Sequence, residues 1–221
     1  MNRRKSNGSS SNNSRQARAH VRVIGGQWRG RKLPIVSADG LRPTGDRIKE
    51  TLFNWLAPYL DSAVCLDLFA GSGSLGVEAL SRGARHVTAL DINRDAVKSL
   101  VAIGSLLETE ALEVVQADAL AWLGDGAQST AAATTTDTII NVSTASGQRF
   151  DIVFLDPPFQ SALLQQAVLK LDAANCLQPN ALIYIETDSN HDVPILPAHW
   201  RLHKQKTAGS VQYALYIAEV T

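Results

Sequence analysis

From residue 64 onward, short apolar runs alternate with helix-length segments, and this alternation restricts the fold more than any other feature of the chain. VCLDLF (64–69), HVTAL (86–90), LEVVQ (112–116), FDIVFL (150–155) and ALIYIET (181–187) have the length and composition of buried strands. Between them, 74–82, 93–107, Ala119–Leu123 and Ser161–Leu171 have helical length and spacing. Such repeats predict an α/β fold, a doubly wound and mostly parallel sheet with helices on both faces. The end of the chain departs from this rule. WRLHKQK and SVQYALYIAEV flank Ala208-Gly209, which predicts an antiparallel C-terminal hairpin closing the sheet edge.

What precedes the repeat is different in kind. Residues 1–20 are mostly Ser, Asn and Arg and have nothing to pack, so they read as a disordered basic tail. Residues 21–36 hold two β-prone runs around Gly-rich turns and predict a small hairpin. A helix follows, with Asp46 as its cap and Ile48, Leu52, Trp55, Leu56 and Tyr59 at helical spacing up to Pro58. The chain thus divides into the tail, an N-terminal hairpin-and-helix extension (21–60) and the α/β domain (61–221). Residues 124–148 are low in complexity, 14 of the 25 being Ala, Ser or Thr, and read as an insertion before the fourth strand. Lengthening a loop from roughly 5 to 25 residues costs only about 1.4 kcal/mol of closure entropy.

Charge follows the same division. The chain carries 21 basic and 21 acidic side chains, but the first fifty residues hold 12 basic and 3 acidic ones, leaving 9 and 18 for the rest. The balance is +9 against −9, which suggests a basic arm for a polyanion attached to an acidic body. Cys65 and Cys176 lie in apolar surroundings and read as buried thiols, neither a disulfide nor a metal site, as expected in a reducing cytoplasm. No apolar run is long enough to span a membrane.

The chemistry concentrates at strand ends. LDLFAGSGSLG (66–76) sets Gly71, Gly73 and Gly76 in a G-x-G-x-x-G spacing between a strand and a helix, and Asp91 follows Gly71 by twenty residues. A carboxylate there can accept both ribose hydroxyls of a nucleoside cofactor, whether a dinucleotide or S-adenosylmethionine. Three further acids favour S-adenosylmethionine. Asp67, just before the loop, suits an amino group and a sulfonium better than a pyrophosphate. Asp118, beside Ala119, can accept the adenine amine; it can equally cap the helix that follows. The fourth strand ends in Asp156-Pro157-Pro158-Phe159. The Asp156 carboxylate and the Pro157 carbonyl can grip both hydrogens of a planar amine and aim its lone pair at a methyl donor, while Phe159 stacks on the base. A DNA adenine-N6 methyltransferase, a dinucleotide oxidoreductase and a non-catalytic RNA-binding module remain alternatives on these residues.

RVIGGQWRGRKLP (22–34), LRPTGDRIKETLFNWLAP (41–58), CLDLFAGSGSLGVEALSRGA (65–84), DIVFLDPPF (151–159) and ALIYIET (181–187) together resemble the RsmD family of bacterial 16S ribosomal RNA guanine-N2 methyltransferases. The resemblance implies a Rossmann-like methyltransferase fold and methyl transfer from S-adenosylmethionine to N2 of one guanine in small-subunit RNA. The enzyme would act as a monomer on 16S RNA or a partly assembled small ribosomal subunit. Gly71, Gly73 and Asp91 would hold the cofactor, Asp118 would sit by its adenine, and Arg42-Pro43-Thr44 would close over its methionine end. Arg22, Arg29, Arg31, Lys32, Arg42 and Arg47 would grip phosphates, with Trp28 either stacking on an extruded base or packing beneath the hairpin. Six phosphate contacts predict a log–log salt slope of about −4 to −5 for RNA binding. The chain departs from the family at Gly45, where Thr is usual, at Asp91, where Glu is usual, and in the insertion.

Overall fold

The computed structural model describes residues 20–35, 45–124, 148–158, 161–189 and 193–219. The tail up to residue 19, Arg42, Thr44, Phe159 and residues 125–147 of the insertion lie outside this set. Two short strands, β1 (His20–Arg22) and β2 (Lys32–Pro34), pair antiparallel. Helix α1 (Asp46–Leu56) and one 3-10 turn (Ala57–Tyr59) lead into the repeat. The repeat runs β3 (Val64–Asp67), α2 (Ser74–Ser81), β4 (His86–Asp91), α3 (Arg94–Leu106), β5 (Leu112–Gln116), α4 (Ala119–Gly124), β6 (Phe150–Leu155), α5 (Ser161–Ala173) and β7 (Leu177–Asp188). The closing hairpin is β8 (Trp200–Ala208) and β9 (Val211–Ala218).

The sheet has seven strands in the order β5-β4-β3-β6-β7-β9-β8, parallel through β7 and antiparallel beyond it. The strand order reverses at β3, so the crevice beside β3 and β6 is the place where a fold of this type binds ligands. The strands alternate cleanly between two layers. Cys65, Val87, Ile152, Phe154, Leu182, Tyr184, Tyr213 and Leu215 face α1, α2 and α3. Leu66, Leu90, Val115, Val153, Leu155, Ile183 and Tyr216 face α4 and α5. Both faces are covered, which is why the parallel strands read as continuous apolar runs. Cys65 and Cys176 are both free and buried, and burial pushes the Cys176 thiol up to about 11.

Three expectations change. Asp46 is not the cap of α1: Gly45 holds that position without a side-chain bond, and Asp46, inside the first turn, lies 3.6 Å from Lys49. The first strand ends at Asp67 rather than residue 69, because Leu68 and Phe69 already belong to the glycine turn. The fifth strand begins at Leu177 rather than 181, because a register shift lets Gln178-Pro179-Asn180 pass through the ladder. Helix α1 also belongs to the body of the molecule. Phe53 meets Phe154 with ring centroids 6.2 Å apart, and Trp55 stacks on Tyr213 at 5.5 Å.

The β1–β2 hairpin is docked on α2 and α3. Val21, Val23, Leu33 and Ile35 pack against Val77, Ile103 and Leu107. Polar contacts fix the register of this docking. The Ile24 N–H donates to Glu78 at 2.8 Å, the Trp28 N–H to the Ser81 hydroxyl at 3.0 Å, and that hydroxyl to the Gly25 carbonyl at 2.6 Å. From α1, Lys49 donates to the Arg22 carbonyl at 2.7 Å. Lys49 is almost completely buried, and desolvation holds its pKa below the ordinary value against the raising fields of Glu78 and Asp46. Gly26 makes the close approach possible. Its φ is +74°, and a Cβ there would fall 1.7 Å from the Ser81 carbonyl oxygen. Gly26→Ala adds a left-handed strain of about 1–2 kcal/mol to this clash, so denaturant titration should show a loss of at least about 2 kcal/mol. An unchanged midpoint would mean that this contact does not hold the hairpin.

Candidate active site

Four acids stand at or just beyond the carboxyl ends of four adjacent strands. Across the sheet they run Asp118 after β5, Asp91 ending β4, Asp67 ending β3 and Asp156 after β6. The glycine turn between β3 and α2 is tied to two of them. The Gly71 N–H donates to Asp91 at 2.7 Å and the Gly76 N–H to Asp67 at 3.2 Å, while the Gly73 N–H goes to the Ala70 carbonyl at 2.7 Å. Gly71 and Gly73 take positive φ, 51° and 75°. A Cβ on Gly76 would press on Val87 at 2.9 Å and on Asp67 at 3.4 Å. In a dinucleotide fold, such a turn offers N–H groups to a pyrophosphate. Here the three glycine donors already have partners, two of them carboxylates that would repel phosphate. This geometry disfavours the dinucleotide alternative.

Asp91 could accept the two hydroxyls of a diol. Its second oxygen accepts from the Asn93 N–H at 2.7 Å, so backbone donors hold both oxygens and leave lone pairs for hydroxyls. Asn93 then caps α3 by accepting from Asp95 and Ala96 at 2.8 and 3.2 Å. Asp118 caps α4, accepting from Ala121 at 2.8 Å; its side chain is exposed, and a carboxylate has capacity for a second donor. Ala119 is buried behind it.

Asp67 and Asp156 form the electrostatic centre. Asp67 is 2% exposed. Burial first, and then the field of Asp156, lift its pKa to about 7 despite the Gly76 hydrogen bond. Asp156 is half-buried, Pro157 is buried and Pro158 is exposed. Ladder register adds a neighbour that the sequence had not singled out. Leu155 pairs with Ile185, so Asp156 leaves β6 level with Glu186 of β7, which accepts from the Tyr184 hydroxyl at 2.6 Å. The only sign of Glu186 in the sequence is an acid interrupting an apolar strand. Two more groups were missed. Ser74, at the start of α2, buries a hydroxyl without a hydrogen-bond partner, and Ile92, beside Asp91, leaves 67% of its surface exposed. An orphaned hydroxyl, a row of acids and an exposed apolar side chain fit a cationic nucleoside.

The basic candidates behave less uniformly. Arg22, Arg29, Arg31, Lys32 and Arg47 are exposed, with Arg31 reaching the Leu106 carbonyl at 3.4 Å. Trp28 is partly buried and packs against two core clusters. Among the described residues no group of His, Cys, Asp and Glu could hold a metal ion, and no helix is long and apolar enough to cross a membrane.

The chain is also similar to known proteins. The family described as conserved hypothetical protein 95 matches residues 21–217. The Haemophilus influenzae protein named ribosomal RNA small subunit methyltransferase D is 46% identical over 202 residues, 90% of this chain and 95% of that protein. The Escherichia coli protein of the same name is 42% identical over 199 residues, 90% of each. Among solved structures, a putative methyltransferase from Escherichia coli superposes with a TM-score of 0.77 at 41% identity, covering 91% of this chain and 99% of that one. A putative SAM-dependent methyltransferase from Streptococcus mutans shares the fold at 14% identity, TM-score 0.59, covering 76% of this chain and 48% of that one.

Proposed function

The chain belongs to the family described as conserved hypothetical protein 95, that of the ribosomal RNA small subunit methyltransferases D, and on that premise we propose that it methylates the exocyclic N2 amine of one guanine in 16S ribosomal RNA, using S-adenosylmethionine. One observation carries this reading: four carboxylates line the strand ends beside a glycine turn whose own donors are committed. S-adenosylmethionine supplies an electrophilic methyl group on a cationic sulfur. Asp91 holds the ribose hydroxyls, Asp118 the adenine amine, and Ile92 offers the adenine an apolar face. Asp67 meets the positive charge of the methionine end.

Asp156 and the Pro157 carbonyl accept the two hydrogens of the target amine. The lone pair of a guanine amine is delocalised into the ring, so orienting it is the main contribution the protein makes. The proton that the methylated amine sheds passes to Asp156 or to water. The exposed side chains of Arg22, Arg29, Arg31, Lys32 and Arg47 bind phosphates around the target.

Labelled methyl transfer to small-subunit particles, to naked 16S RNA and to duplex DNA tests the proposal, followed by nucleoside analysis of the product. N2-methylguanosine in RNA is expected. Product on DNA alone, or on adenine, would overturn it.

A further inference from the structure

The nine residues of β8 contain Arg201, His203, Lys204 and Lys206 and no acid, although the chain beyond residue 50 is acidic as a whole. This edge strand carries one irregularity. The register passes from Leu202 opposite Tyr216 to Lys204 opposite Leu215, leaving His203 as an extra residue. A one-residue bulge inverts the alternation of side chains beyond it. Without it, His203, Gln205 and Thr207 would share a face with Arg201. With it, Lys204 and Lys206 do, because they stand opposite Leu215 and Tyr213, as Arg201 stands opposite Ile217. Those partners belong to the layer that faces α1. The His203 ring turns the same way and meets Tyr59 edge-on at 6.3 Å.

We propose that β8 is a second RNA-contact surface, on which Lys204 and Lys206 bind phosphates of the RNA whose base enters the active site. Two observations support phosphate as the ligand and place it relative to the chemistry. Both lysines are exposed, whereas Arg201 is engaged with Glu219 at 2.8 Å. Lys206 is also level with the site: it pairs with Tyr213, which pairs with Glu186, the neighbour of Asp156. Two strand spacings, about 10 Å, separate Lys206 from Glu186. The docked hairpin lies over α2 and α3 toward the opposite edge, and six strand spacings, about 29 Å, span the sheet. RNA held by both surfaces would cross the carboxyl ends of the strands. Lysines on an edge strand also prevent sheet-to-sheet pairing, a role that needs no particular face. A bulge serves that role too; what it leaves unexplained is the shared face of Lys204 and Lys206 and the register of Lys206 with the site.

This inference rests on RNA being the substrate, and the test separates the two. Binding of full-length protein to 16S RNA is measured across a salt series for wild type, Lys204→Gln/Lys206→Gln, and Lys170→Gln on the α5 face. The double variant should lose about 1.4–1.8 from the log–log slope, at 0.7–0.9 per phosphate. Its KM for RNA should rise with its kcat at saturating RNA and its affinity for S-adenosylmethionine unchanged. Lys170→Gln should keep the wild-type slope. If the double variant binds and methylates like wild type, or if Lys170→Gln lowers the slope as much per charge, the β8 surface is refuted while the enzyme assignment stands. A wild type that neither binds nor methylates RNA overturns the assignment itself.

Discussion

Asp156→Ala is expected to lower the rate of methyl transfer on the order of 10²–10³-fold, the cost typical of removing one preorganised polar group from a reacting centre. The loss should fall on kcat in single-turnover assays with saturating RNA and cofactor, because in the proposed reaction Asp156 orients the amine rather than anchoring the rest of the RNA. RNA affinity should hardly change, since phosphate contacts far from the pocket supply most of it. Asp156→Asn keeps an acceptor oxygen at the same place and should lose less than the alanine variant. Cofactor affinity provides an internal control. Asp156 is the second contributor to the raised pKa of Asp67, so removing it lets Asp67 ionise more readily and should leave cofactor binding intact or slightly stronger. An alanine variant that methylates at the wild-type rate would show that Asp156 merely ends a strand.

The sequence revealed what local chemistry decides. Apolar runs bounded by turns marked the parallel strands, since both faces of those strands are buried. The spacing from Gly71 to Asp91 marked the strand ends proposed for the cofactor, and Asp156-Pro157-Pro158 those proposed for the amine. What it did not reveal depends on partners distant in the chain. Nothing local tells that Gly26 must fit beneath Ser81, or that Lys49, a surface residue by composition, is buried against the Arg22 carbonyl. Gln178-Pro179-Asn180 precedes the strand expected at 181–187, yet β7 runs through it, with Asn180 at φ 63°. The His203 bulge is visible only in the pairing with β9, and it decides which face the β8 lysines take. Asp118 shows a different limit: the sequence allowed a cap, a ligand or both, and the geometry adds the cap without removing the ligand.

Asp67→Asn should make the protein more stable at pH 8 while it weakens cofactor binding. The sign follows from the shift. The folded-state pKa of Asp67 is about 7, against 3.8 for the free side chain, so the folded state binds this proton more tightly than the unfolded state does. The contribution of this group to stability is therefore greatest below pH 4 and is lost as pH rises from about 4 to 7. At pH 8 the buried charge costs on the order of 4 kcal/mol. An amide keeps an acceptor for the Gly76 N–H and carries no charge; allowing half of that gain for its own desolvation leaves about 2 kcal/mol, or roughly 4–8 °C in thermal midpoint. At pH 4.5, where Asp67 is protonated in the folded protein, this gain disappears and the variant should melt at or below the wild-type temperature. Cofactor binding should show the opposite dependence. A cation favours the ionised carboxylate, so wild-type affinity for S-adenosylmethionine should rise as pH passes through about 7, with release of a proton, and the variant should lose this rise. Calorimetry in buffers of different ionisation enthalpy measures that proton directly. A wild-type affinity that is flat from pH 6 to 8, with no gain in midpoint for the variant, would mean that Asp67 is a structural acid and that the positive end of the cofactor lies elsewhere.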